Sequence, residues 1–388
     1  MVLIAEDDSS LQNMLNEVNN WCNKWRLKVN EEKTEIVHFR NNRKKGTDFK
    51  FMYGDTELDK VKHYKYLGII LDEHLTYNDC VQTLADSAGR ALGGVISKFK
   101  TLKNVGYDTF TKLFIAGVQP VYEYSAGVWG YHKAYAIDKV QNRAMRYYLG
   151  VHKFAPNAAL TSEMGWLKPN VTRFICMFRM WNRFIMLPNT RLCKKIFEED
   201  YLLCYNNWCH EFKCLCETLD ISTAYANKNL IDVNNVRDLL TDIMISKWKD
   251  EVASKPKLRT YIAIKDNVEV ENYVKYCYNR QNRSLMAQIR CGILPLKIET
   301  GRYSNLPVEE RLCDICNLGK VESEIHFMLE CPMYSEERLT LYNAAHLDID
   351  NRNMNDLETF THLFKNNWRD SIRFLNVAWK KRQMFLFK

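Results

Sequence analysis

Trp21-Cys22-Asn23-Lys24-Trp25-Arg26-Leu27-Lys28-Val29-Asn30-Glu31-Glu32-Lys33-Thr34-Glu35-Ile36-Val37-His38-Phe39 passes, within one short stretch, from the end of a helix to a pair of strands. Upstream of it, Leu11, Met14, Leu15, Val18 and Trp25 recur at helical spacing behind a Ser9-Ser10 start, which predicts an amphipathic helix with a polar cap. Leu27 and Val29 then read as a short strand and Asn30 to Lys33 as a polar turn. Thr34, Ile36 and His38 alternate with Glu35, Val37 and Phe39, the period of a second strand. Spacing alone stops at an α+β unit.

The residue identities go further. Trp21-Cys22, Trp25, Leu27-Lys28-Val29-Asn30, Lys33-Thr34 and Phe39 together resemble the palm segment that follows the catalytic turn in reverse transcriptases of non-LTR retrotransposons. In that family a helix leads into a Leu-x-x-Asn-x-x-Lys-Thr hairpin, so the resemblance marks Asn30, Lys33 and Thr34 as the palm turn. It also implies that Val2-Leu3-Ile4-Ala5 is the strand just after the Tyr-x-Asp-Asp turn, with Met1 immediately past the metal-binding carboxylates. The expectation is therefore a chain with no catalytic residue of its own, magnesium belonging only to a complete parent polymerase. Two local features compete for a catalytic role. Asp7 and Asp8 stand where carboxylates meet a helix N-terminus and its free N–H groups, and are read as capping residues. Tyr53-Gly54-Asp55, between Phe49 to Tyr53 and Thr56 to Leu58, has the chemistry of a tight hairpin turn. Two-metal phosphoryl transfer needs carboxylates converging from separate strands, and nothing supplies the partner strand.

Tyr64 to Asp72 reads as an apolar strand interrupted by Gly68, where a missing side chain permits a bend or close backbone approach. Tyr66-Leu67-Gly68 resembles the primer-grip hairpin of the same family, in the family's order after the Asn-x-x-Lys-Thr turn. From Asn78 the pattern turns helical. Val81, Leu84, Ala85, Ala88, Leu92, Val95, Ile96 and Phe99 share a face, with Lys98, Lys100 and Lys103 at the end. A second helix is predicted over about Tyr107 to Tyr122, with Pro120 ending or kinking it, and a third over about Ala134 to Tyr148. That third helix carries Lys139, Arg143 and Arg146 on one side, and a further helix covers about 171 to 187. These resemble the family's thumb helices.

The chain has 388 residues, 46% of them hydrophobic and 12% aromatic, enough for two or three domains with real cores. No run of about eighteen apolar residues and no signal peptide is present, so the expectation is an intracellular protein, nuclear or cytoplasmic, that does not engage membranes. Thirteen scattered cysteines favour free thiols and a metal site over a disulfide framework. The net charge of +8 is uneven: residues 98 to 183 hold thirteen Lys or Arg against four acids, Asp108, Glu123, Asp138 and Glu163. Such a block points to a polyanion, with a solvated helical surface as the competing reading.

Cys204, Cys209, His210, Cys214 and Cys216 are interleaved with apolar residues and read as small hydrophobes of a buried helix. Cys313-x2-Cys316-x9-His326-x4-Cys331 is different, because its spacing closes a tetrahedral N/S set typical of structural zinc with no position left for a catalytic water. The flanking text from Ile289 to Leu296 and from Cys331 to Tyr334 resembles the C-terminal region of the same retroelement polyproteins. The fold expected is α+β: a small antiparallel palm-remnant sheet over 1–72, a helical thumb-like region over 73–188, a helical linker over 189–300, a CCHC zinc knuckle over 301–340 and a helical tail over 341–388. The tail could equally cover the core or meet a partner. The function implied is that of the C-terminal part of an RNA-directed DNA polymerase that binds RNA and DNA. The alternative is a non-catalytic relic, or a host-recruited zinc protein that binds nucleic acid or protein.

Overall fold

Asp7 opens the first helix as a cap: its carboxylate accepts from the Ser10 N–H at 2.8 Å and from the Ser10 hydroxyl at 2.7 Å. Those bonds hold its pKa below the usual carboxylate value. The computed structural model describes residues 1–102, 105–347 and 354–386. It divides into two compact units, residues 1–86 with 132–134, and residues 87–131 with 135–388.

In the first unit, helix Asp8–Trp25 lays Leu15 on a small core of Ile36, Phe51, Tyr53 and Leu58, with Leu11, Val18 and Val29 packed against it. The buried stripe is narrower than the periodicity suggests, because Met14, Trp21 and Trp25 are exposed. The strands are short: β1 Glu35–Ile36, β2 Met52–Tyr53, β3 Thr56–Glu57, β4 Asp59–Lys60, β5 His63–Tyr66 and β6 Ile69–Asp72. Two expected strands are absent. Residues 2–5 are irregular, and the Leu27 N–H is taken up by Cys22 O at 2.9 Å as the chain leaves the helix, so residues 27–29 do not pair. β1 pairs parallel with β4 instead. β2 and β3 form the hairpin expected around Gly54, whose φ is +59°. Gln12 extends this hairpin by bonding both the N–H and the C=O of Met52 at 2.8 Å. The stretch expected as one strand interrupted at Gly68 is a hairpin too, β5 against β6, with Leu67 and Gly68 as its two-residue turn.

The second unit is helical. Helix Asn78–Leu102 buries Leu92, Ile96 and Phe99 along the expected face. Pro120 interrupts the next helix as expected: Tyr107–Gly117 ends before it, and Pro120 sits in the first turn of a new short helix, Gln119–Tyr122, where its missing N–H costs nothing. Helices Tyr135–Leu149 and Pro169–Met186 follow. Around Pro169–Met186 a core of Phe178, Trp181, Phe197 and Phe212 is assembled, with Trp181 stacked on Phe212 at 4.8 Å and 19°. Cys209 and Cys216 are buried in that core as small hydrophobes. Glu163 and Arg290 meet in the interior as a bidentate pair at 2.9 and 3.0 Å, both fully buried. Helices Asp356–Lys365 and Trp368–Leu386 bury Phe360, Phe364, Phe374 and Leu375, so the tail covers the core. Among the described residues the architecture is predominantly helical with three two-stranded sheets, compatible with an α+β assignment. None of the described helices is long and apolar enough to cross a membrane.

Candidate functional site

A bridge between Leu312 and Val321, closed through Gly319 at a φ of +61°, turns the chain back so that Cys313 and Cys316 lie on one tight loop. His326 stands on the next helical turn, and the Cys331 N–H bonds the His326 C=O at 2.8 Å, which brings the fourth side chain round. The ligand atoms of Cys313, Cys316, His326 and Cys331 all lie within 4.8 Å of one another. Among the described residues this is the one His/Cys/Asp/Glu group arranged to hold an ion.

The chemistry of the donor set fits a soft divalent cation. His326 Nε2 faces Cys316 Sγ at 3.4 Å, while its Nδ1 faces Glu330 Oε2 at 3.0 Å. The carboxylate thus selects the tautomer that leaves Nε2 as the ligand atom. Burial pushes the His326 pKa down, keeping the imidazole neutral and ready to ligate. Cys331 is pushed up to about 12, first by burial and then by the neighbouring Cys313 and Cys316. A cation bound by the thiolates would displace their protons, so binding there would be coupled to proton release. Burial pushes the Cys313 thiol up as well, opposed by the backbone N–H groups of Ile315 and Cys316, which point at its sulfur. Four such ligands could close a coordination sphere around one ion.

The cluster is built into the second unit rather than hung from it. Phe327, fully buried beside His326, packs on Tyr334 at 4.8 Å and on Phe374 at 6.0 Å. Buried Glu322 accepts from the Lys297 N–H at 2.6 Å and from Arg382 Nη2 at 2.7 Å, tying the metal loop to the last helix. Arg338 bonds the C=O groups of Met328 and Cys331 at 2.9 and 2.7 Å. Glu330 escaped the reading of the sequence, although its place four residues after His326, one helical turn on, is a signal that could have found it.

The remaining predicted residues fall into separate places. Asn30 caps a 3-10 turn, its side chain accepting from the Lys33 N–H at 3.2 Å, and the Thr34 hydroxyl bonds Asn30 O at 2.9 Å. Tyr66, Leu67 and Gly68 form the tip of the β5–β6 hairpin. Leu67 has a φ of +47° and is 73% exposed, a conformation and a position that both disfavour leucine. Lys98 and Lys100 are exposed near the end of helix Asn78–Leu102, and Lys139 and Arg143 are exposed one turn apart on helix Tyr135–Leu149. Lys103 lies outside the described residues. Arg146 is half-buried, and its Nη2 is spent on Ala155 O at 3.2 Å and Asn157 Oδ1 at 2.5 Å. Within the basic block Lys168, partly exposed, is paired with Glu251 at 3.2 Å, and Arg173 is buried over the Trp129 ring at 5.8 Å.

Residues 1–71 match the family described as reverse transcriptase (RNA-dependent DNA polymerase). A probable RNA-directed DNA polymerase from transposon BS of Drosophila melanogaster is 26% identical over 142 residues, which is 35% of this chain and 15% of that protein. The chain therefore matches only a small part of that relative's length. No solved structure matches it. The two matches bear out the resemblance to a retrotransposon reverse transcriptase, and the non-LTR features of the 21–39 stretch are consistent with them.

Proposed function

We propose that this chain is the post-catalytic part of a non-LTR retrotransposon reverse transcriptase, comprising the end of the palm (1–72), a thumb (73–188), a helical linker (189–300), a zinc knuckle (301–340) and a tail (341–388). Its work in this reading is to hold RNA and DNA, while the two-metal chemistry belongs to a Tyr-x-Asp-Asp turn that these 388 residues do not contain. The observation that carries the reading is the match of residues 1–71 to the reverse transcriptase family, continued by a Cys3His cluster in the order the family implies. The surface of the first unit supports it. Trp21 and Trp25, with ring centroids 6.4 Å apart, and the adjacent Leu27 are each more than half exposed, an apolar patch of the kind that packs against a further domain. In the proposed protein that domain is the fingers and the front of the palm.

Zinc is the ion that best suits three sulfurs and one imidazole in a closed tetrahedron. Lys98, Lys100, Lys139 and Arg143 supply phosphate contacts, which release counterions and make binding weaken with salt at a log-log slope near −0.7 per contact on single strands. With about four contacts, raising salt from roughly 50 to 200 mM weakens binding on the order of 50-fold. The test is a salt titration of labelled oligonucleotide binding to the full chain. Lys139→Ala with Arg143→Ala is expected to reduce the slope by about 1.4 for every sequence tried. A salt-independent affinity, or an unaltered slope, would show that the basic helices are only a solvated surface.

A further inference from the structure

Two concavities in the second unit share Arg280 and Gln281, on the first turn of helix Arg280–Arg290. They measure about 470 and 360 Å³, the size range of sites for nucleotide-sized ligands. One is walled by the end of helix Asn78–Leu102 and by Tyr147, and the other by the last helix, Trp368–Leu386. Among the described residues their lining contains Lys100, Arg280, Arg283 and Lys380 and no acid. A concave surface bearing one sign of charge between low-dielectric walls concentrates its field and draws in polyanions.

The side chains there are set for a strand. Exposed Arg280 is held with its guanidinium over the Tyr147 ring at 4.9 Å and its Nη2 donating to Tyr147 O at 3.4 Å, so its charge is fixed at the junction of the two concavities. Among the described residues, Lys100, Arg280 and Lys380 make no ion pair, so their charges remain available. Arg283 is committed to the floor, donating to Tyr148 O at 2.9 Å and to Cys277 O at 2.7 Å. Gln281 and Gln383 are exposed amides at the two lips. Half-buried Trp379 closes the far wall, and its ring meets Phe327, the neighbour of His326, at 6.3 Å. Arg382, its guanidinium over the Trp379 ring at 5.6 Å, ties the last helix to Glu322 at 2.7 Å.

We propose that the two concavities form one track for a single nucleic-acid strand, entering past Lys100 and running over Arg280 to Lys380 and Trp379, beside the metal loop. The proposal rests on the nucleic-acid reading above and adds a site that the basic helices do not contain. Cations that neutralise phosphates, amides that can meet bases in any order and aromatic walls are the recurring components of sequence-tolerant single-strand sites. A concave track admits one extended strand, whereas a duplex presents a convex, stiff surface that would meet only its rim.

The experiment uses the full, metal-loaded chain and fluorescent oligo(dT) and oligo(U), with a blunt duplex and polyglutamate as competitors. Arg280→Ala with Lys380→Ala is expected to reduce the log-log salt slope by about 1.4 on both single strands. Gln383→Glu, an exposed position where the fold is not at stake, is expected to weaken binding several-fold by placing a like charge in the track. Photo-crosslinking of a 5-iodouracil oligonucleotide is expected to label the peptide containing Trp379. If the chain binds oligonucleotides but these variants leave slope and affinity unchanged, the track is refuted while the reading through Lys139 and Arg143 stands. If no oligonucleotide binds at all, both fall. Equal competition by duplex overturns the single-strand assignment, and equal competition by polyglutamate overturns the assignment to nucleic acid.

Discussion

Glu330 offers a sharp test of the metal centre because it touches the ligand and not the ion. Its Oε2 lies 3.0 Å from His326 Nδ1 and its Oε1 lies 2.8 Å from Lys320 Nζ, so the carboxylate is held from one side while it orients the imidazole from the other. Loss of such a partner typically costs about 10–100-fold in metal affinity, or about 1.4–2.7 kcal/mol. Glu330→Gln keeps an acceptor for the Nδ1–H and loses only the charge, so about tenfold is expected. Glu330→Ala loses both, and about 100-fold is expected. The whole site is worth roughly 10–16 kcal/mol in apparent terms, so both variants still bind zinc and the difference emerges only in competition with a chelator of matched affinity. The sign of the pH effect separates orientation from protonation. Burial lowers the His326 pKa and the Glu330 carboxylate opposes that shift, so removing the carboxylate favours the neutral imidazole still more. A protonation mechanism would therefore make the variants bind better at pH 6, and orientation makes them bind worse at every pH from 6 to 8. Unchanged zinc affinity in Glu330→Ala, or a gain at low pH, would refute the role assigned to this residue. Zinc content far below one per chain in the unaltered protein would refute the site itself.

Three further outcomes are expected. Glu163→Gln leaves fully buried Arg290 with Glu271, at 3.1 Å, as its charged partner among the described residues, so a loss of about 3 kcal/mol and a melting point lower by about 5 °C are expected by calorimetry; a change under about 1 kcal/mol would show the pair to be dispensable. Leu67→Asn should relieve about 1 kcal/mol of left-handed strain at the β5–β6 turn and slow amide hydrogen exchange in both strands, whereas faster exchange would mean that the leucine side chain holds the hairpin. Primer extension on an RNA template by the 388-residue polypeptide, with Mg²⁺ or Mn²⁺, is expected to yield no product, and template-dependent synthesis by purified material would sink the assignment of chemistry to a separate catalytic turn.

What could be read in the sequence was whatever depends on near neighbours. Asp7 as a cap, Gly54 as a turn, the apolar face of helix Asn78–Leu102 and the Cys-x2-Cys loop are each decided within about ten residues, and the structure shows each of them. The errors arose where a distant partner decides. Leu27 to Val29 has the residues of a strand, but no strand pairs with it, and β1 takes its hydrogen bonds from β4, about twenty-five residues later, through a parallel ladder that no local pattern reports. An alternating run around Gly68 looks the same straight or folded in half; the resemblance to a hairpin at Tyr66-Leu67-Gly68 points to the second, and the backbone angles of Leu67 and Gly68 show it. The basic block shows the same limit from the side of charge. Counting could not separate Lys139, which faces solvent, from Lys168 and Arg173, which are spent on Glu251 and Trp129. Nor could it unite Lys100 with Arg280 and Lys380, which are about a hundred or more residues apart in sequence and line neighbouring parts of one groove. Where phosphates would bind is thus settled less by how many cations a segment carries than by which of them the fold leaves without an acid, and that selection is made by tertiary contacts alone.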